Sequence, residues 1–93
     1  MRLVANSRPA EGIAREDVVQ YFADHGIESS TWDLFRHRIV TEYLFKVGPR
    51  PGVLLFLDVE SEEAAAEVLN ALPVVSHGIL VFDIDQVSAV AHF

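Results

Sequence analysis

The sequence predicts an α+β fold: a four-stranded antiparallel sheet with its helices on one face, in the order β-α-β-β-α-β. Three observations carry that prediction. The residues from Ile39 to Val47 alternate in character, the run Val53 to Val59 is apolar on both faces, and the Gly- and Pro-rich turn Gly48 to Gly52 joins the two as a hairpin. Between Ser61 and Pro73 the apolar residues Ala65, Val68, Leu69 and Leu72 recur at helix spacing. The stretch Ile79 to Asp85 is again apolar and supplies a last strand.

In chain order, Arg2 to Asn6 reads as a short first strand, ended by Ser7, Arg8 and Pro9 and by the turn at Glu11 and Gly12. From Glu16 to His25 the apolar residues Val18, Val19, Phe22 and Ala23 fall at helix spacing, with Glu16, Asp17, Gln20 and Asp24 on the other face. The acidic pair at its start suits the positive end of the helix dipole. Gly26 serves as a C-cap or a kink, and Ile27 packs back on the last turn. A second helical piece begins near Ser30, capped by that side chain with Asp33 three positions on; it carries Trp32, Leu34, Phe35 and Ile39 on its apolar face. Arg36, His37 and Arg38 end it where positive charge is favoured. The two pieces also read as one broken helix. In the second strand Thr41, Tyr43, Phe45 and Val47 share one side, while Val40, Glu42, Leu44 and Lys46 share the other. Ser61 caps the next helix, Glu62 and Glu63 occupy its first turn, and Pro73 stops it. The tail Val87 to Phe93 is too apolar for free solvent. No repeat, low-complexity segment or linker is visible.

Composition narrows the function classes. A chain of 93 residues predicts one domain, spanning 1–93, and the absence of cysteine removes disulfides, thiolate metal sites and cysteine nucleophiles. No apolar run approaches the roughly 18 to 20 residues that span a bilayer, and the start from Met1 to Ala5 lacks a signal-peptide layout, so a cytoplasmic location is expected. With 14 acidic against 7 basic residues the net charge is −7, which opposes contact with phosphate backbones. Neither nucleic acid nor a membrane is expected as a partner.

The third strand raises a question of cover. Leu54 and Phe56 point one way and Val53, Leu55 and Leu57 the other, and helices on one face cover only one set. With Tyr43 and Phe45 or their neighbours, and with Leu80 and Phe82, about six large apolar side chains are left open, whose burial is worth on the order of 10 kcal/mol. A patch of that size is seldom left wet. The expectation is a homodimer or higher homo-oligomer, formed through the open sheet face and closed by the C-terminal tail.

The run Leu57 to Pro73, followed by Val74-Val75, Gly78-Ile79-Leu80 and Phe82-Asp83-Ile84, resembles the dimeric α/β-barrel superfamily with its ferredoxin-like fold. Within it the chain looks like the small proteins related to muconolactone isomerase and the YCII-like domains. A weaker match runs through Trp32 to Phe35 and Val40 to Phe45, so the resemblance covers most of the chain. It implies a cofactor-free pocket between the first helix and the barrel-side sheet, in a protein that is at least dimeric. Relatives include isomerases and cyclases that move protons next to a carbonyl, and oxygenases that use an electron-rich phenolic substrate in place of a cofactor. True muconolactone isomerases carry lysine and glutamate on a long first helix. Here that region is interrupted at Gly26, and Lys46 is the only lysine, so their catalytic residues are not carried over.

Proton shuttling requires a group that exchanges a proton near neutral pH within reach of the substrate. His25, beside the Gly26 break, is a candidate that faces the pocket from the helix; the plain alternative is a helix-end histidine near the dipole. His77, before Gly78, stands at the start of a strand and reaches a pocket mouth, unless it is only a turn residue. His37 lies between two arginines, which suits a solvated helix end or an anion contact, and His92 in the tail suits a contact with a partner subunit. Glu42 sits among apolar neighbours, where a carboxylate that faces inward must be paired or functional; otherwise it faces outward or pairs with Arg36 or Arg38. The candidate catalytic set is therefore His25, Glu42 and His77. Tyr21, Trp32, Phe35, Tyr43 and Phe45 form the candidate wall of a substrate pocket for a flat hydrophobic or aromatic ligand, with ordinary core positions as the alternative. No histidine pair has metal-ligand spacing and no carboxylate cluster completes one, so neither metal nor cofactor is expected.

Three functional readings compete. A small cofactor-independent enzyme acting on an aromatic or polyketide-like molecule, by proton transfer, isomerisation, cyclisation or oxygenation, predicts an enclosed cavity touching His25, Glu42 or His77. A noncatalytic ligand-binding or assembly module predicts a pocket filled by its own side chains. An RNA-recognition motif shares the element order and the spacing of Phe22 and Gly26, but it stacks bases on aromatics of its central strand, where this chain has Val53, Leu55 and Leu57. The enzyme reading is preferred, because the family it resembles is built around pockets.

Overall fold

The computed structural model describes residues 1–88. Its elements are β1 (Arg2–Pro9), α1 (Arg15–His25), α2 (Ser29–Arg36), β2 (Val40–Lys46), β3 (Gly52–Asp58), α3 (Glu62–Asn70), α4 (Pro73–Ser76) and β4 (Leu80–Gln86). The strands form one antiparallel sheet in the order β2-β3-β1-β4, the ferredoxin-like arrangement of β-α-β-β-α-β with each helical segment divided in two. Strand pleating sends Leu3, Ala5, Val53, Leu55, Leu57 and Leu80 to the helix side, where they form one core with Val18 and Tyr21 of α1, Ala65 and Leu69 of α3, and Val74 of α4. Among the described residues no helix is long and apolar enough to cross a membrane.

Several boundaries differ from the expected ones for identifiable reasons. β1 runs on through Ser7 and Arg8 to Pro9, which pair with Phe82, Val81 and Leu80. The buried Ser7 Oγ accepts the Val53 N–H at 2.8 Å, so a side chain continues the β1–β3 ladder, and Pro9 lies at the strand end where its missing N–H is tolerated. A bulge between Val40 and Glu42 shifts the alternation of β2, so that Val40 joins Tyr43 and Phe45 on the helix side. α1 and α2 are separate helices: Gly26 takes a positive φ of 61° and its N–H closes on Phe22 O at 2.8 Å. α2 starts at Ser29 behind Glu28, which leaves Ser30 inside the helix instead of capping it. Pro73 does more than stop a helix, since it occupies the first turn of α4, where no donor is required.

α2 and α4 end alike. Ile39 N–H bonds Leu34 O (2.9 Å) and Arg38 N–H bonds Phe35 O (3.0 Å); Ile79 and Gly78 repeat this with Val74 O (3.1 Å) and Val75 O (2.9 Å). Arg38 and Gly78 both have positive φ, 60° and 76°, the left-handed position of a Schellman closure.

The open face is less apolar than expected. Leu80, Phe82, Tyr43 and Phe45 turn to the helix side, which leaves Val4, Leu44, Leu54, Phe56 and Val81 among charged neighbours such as Arg8, Glu42 and Asp83. Val87 N–H bonds Arg2 O at 3.0 Å, and the tail from residue 89, including His92, lies outside the described residues.

Candidate functional site

α1, α2 and β2 bring a line of aromatic rings together. Val18 and Tyr21 are three apart and share the buried stripe of α1, and His25 follows one turn later. The His25 ring stacks on Tyr21 at a centroid distance of 4.1 Å. Its Nδ1 lies 2.8 Å from Tyr21 O, and because a carbonyl only accepts, Nδ1 carries the proton and Nε2 is left as the basic nitrogen. From Tyr21 the line continues through Phe22 (5.9 Å), Phe45 (5.4 Å), Tyr43 (5.2 Å), Phe35 (6.5 Å) and Trp32 (5.6 Å), mostly with tilted or edge-to-face rings. Phe45 and Trp32 remain 46% and 47% exposed.

The carboxylate of this group is Glu28, the half-buried residue that precedes α2. Tyr21 donates its hydroxyl to Glu28 Oε1 at 2.8 Å. Burial, then this hydrogen bond and the charge of Glu28, push the Tyr21 phenol up to about 12. Burial, followed by the same charge, pushes Tyr43 up to about 12. Both phenols therefore remain protonated at neutral pH; Tyr21 donates to Glu28, while Tyr43 feels its charge without a hydrogen bond to it.

The five aromatic residues expected to line a pocket are thus placed together, with His25 at one end and with Phe22 and Glu28 as members the sequence reading missed. Glu42 and His77 are elsewhere. Glu42 pairs with Phe56 across the ladder and is exposed on the open face, behind Tyr43. His77 caps the end of α4, exposed, with its N–H on Pro73 O at 2.8 Å. His37 does the same for α2, its Nδ1 being 2.7 Å from Asp33 O, while Asp33 pairs with Arg36.

Two clefts lie outside the aromatic line. The larger, about 480 Å³, opens where the β2–β3 loop folds beside the end of β1; a smaller one of about 240 Å³ lies by Arg2, Thr41 and Asp58. Neither is lined by His25, Glu42 or His77. Among the described residues no three His, Asp or Glu side chains come together as a metal site. No family model matches the sequence, and no curated protein matches it.

Proposed function

We propose that the chain is a small cofactor-independent enzyme, similar to the muconolactone isomerase-like and YCII-like members of the dimeric α/β barrels, that moves a proton next to the carbonyl of a flat aromatic or polyketide-like molecule in the cytoplasm. The observation that supports this reading is one carboxylate, Glu28, that accepts the Tyr21 hydroxyl and whose charge also acts on Tyr43, beside a line of aromatic rings of which Phe45 and Trp32 are half-exposed. Glu28 takes a proton from the carbon next to the carbonyl, the C–H electron pair becomes a new C=C bond as the carbonyl π pair moves onto oxygen, and the Tyr43 hydroxyl donates to that oxygen. In a substrate with a β,γ double bond the product of that step is a dienolate, and Glu28 returns the proton to its γ-carbon, which moves the double bond into conjugation and completes an isomerisation. Tyr21 holds Glu28 in place, and His25 Nε2 is a second proton carrier. Glu42 and His77 have no part in this scheme. Two copies pair through the open face, where Leu44, Leu54 and Phe56 lie.

Deuterium exchange at the α-carbon of 1-tetralone, followed by proton NMR, tests the proposal. Catalysed exchange that falls by about 100-fold or more in Glu28→Gln, and is unchanged in His77→Ala, is the expected result. Catalysed exchange that survives Glu28→Gln would overturn it. The second reading, a noncatalytic binding module, is favoured by the way the chain's own rings fill the space between α1, α2 and β2. Quenching of Trp32 fluorescence by 1-tetralone without any catalysed exchange supports that reading instead.

A further inference from the structure

The larger cleft gathers cations in a chain that has few. Of 7 basic residues against 14 acidic ones, Arg8, Lys46 and Arg50 line it, with Asp83 as the one acidic lining residue. Asp83 Oδ2 accepts from Arg8 Nε at 3.0 Å, which leaves the Nη groups of Arg8 for another acceptor. Among the described residues neither Lys46 nor Arg50 is paired with a carboxylate.

Lys46 is held by neutral acceptors instead. Its Nζ donates to Ser7 O at 2.6 Å and to Asn6 Oδ1 at 2.8 Å, so one of its three N–H groups is uncommitted. It reaches them by lying across Gly52. A Cβ there would collide with Ser7 Oγ and stand 3.2 Å from Lys46 Cε. Partial burial, followed by the nearby Arg50, holds the lysine below its ordinary value, as two cations without an anion between them require. The wall opposite is set in advance: Pro49 and Pro51 restrict the loop, and Arg15 Nε donates to Pro49 O at 3.1 Å, tying the loop to α1. A cleft built this way loses little freedom when it is filled.

We propose that this cleft is a binding site for a small molecule bearing a phosphate or carboxylate group, whose oxygens take the free N–H of Lys46, the guanidinium of Arg50 and the Nη groups of Arg8. Its volume, about 480 Å³, is that of a site for a small organic molecule, while the charge of −7 over the whole chain repels extended polyanions such as nucleic acid. The site stands apart from Glu28 and the aromatic line, so it succeeds or fails independently of the proton-transfer reading.

The test is a titration of isotope-labelled protein with inorganic phosphate and, separately, with malonate, each at ionic strength held constant with sodium chloride. Saturable amide shifts at Asn6, Arg8, Gly48 and Arg50 are expected with at least one of the two, and the responding anion identifies the group recognised. Lys46→Met should weaken that binding by about tenfold or more, with Arg50→Gln weakening it several-fold and Arg36→Gln leaving it unchanged. Should Lys46→Met fail to fold, Arg50→Gln decides alone. No saturable shift with either anion, or wild-type affinity in both Lys46→Met and Arg50→Gln, would overturn the assignment.

Discussion

Tyr21 and Tyr43 are the two tyrosines of the chain, so near-ultraviolet absorbance of tyrosinate reads both without interference from others. Each is raised from 10.0 to about 12, and the folded chain therefore holds more protons than the unfolded one between those values. The stability this contributes is fully present below about pH 10 and is lost as pH rises through about 12. A spectrophotometric titration should show both phenols ionising well above 10, together with base unfolding over the same interval. Glu28→Gln should bring both down, Tyr21 further because its hydrogen bond then goes to a neutral amide oxygen in place of a carboxylate; values unmoved by that change would remove Glu28 from the group. Sequence displayed the aromatic members because their side chains stand out by type and spacing. Glu28 went unseen because only the turn at Gly26 returns it to Tyr21, seven positions back. Glu42 drew notice for its apolar neighbours in sequence, yet strand pleating separates it from them and points it outward with Phe56.

The two matching helix ends allow a comparison within one chain. Gly78 occupies the left-handed position without penalty, whereas Arg38 holds the same position against its Cβ. Arg38→Gly is expected to raise the urea midpoint, by an amount corresponding to about 0.5 to 1 kcal/mol, without changing the slope. Gly52→Ala should act in the opposite sense. With a φ of 150° and no space beside Ser7 and Lys46, the added methyl should cost about 2 kcal/mol or more, read from the same denaturation curve. β3 and the body of α3 were legible, since a doubly apolar strand and a stripe through Ala65 and Leu69 leave few other arrangements, although the helix expected to run to Pro73 ends at Asn70 and Leu72 caps α4 instead. The extension of β1, the bulge at Thr41 and the second life of Pro73 were not, because each depends on a partner distant in sequence or on one turn of backbone geometry. Ser7 shows why: a serine next to Arg8 and Pro9 reads as a turn until the Val53 N–H is there to be accepted.

At the scale of the whole molecule, the ferredoxin-like order was readable from alternation and helix spacing, while the makeup of the open face required the register. With Val4, Leu44, Leu54, Phe56 and Val81 on it, that face carries other apolar side chains than a count of large residues implied, and charges such as Arg8, Glu42 and Asp83 are interspersed among them. Sedimentation equilibrium should give twice the chain mass for the wild type and the chain mass for Phe56→Arg; a wild-type monomer at high concentration would remove the pairing from the proposal. The sheet order also sets a sequence of events. β1 lies between β3 and β4, pairing Arg2 with Asp58 and Leu3 with Gln86, whereas β2 and β3 meet across one short loop. The hairpin closes a small loop and forms early; the first strand closes the largest loops in the chain and docks late. During synthesis, then, the strand made first waits longest, since it has no neighbour until β3 is made and both its edges are paired only after β4.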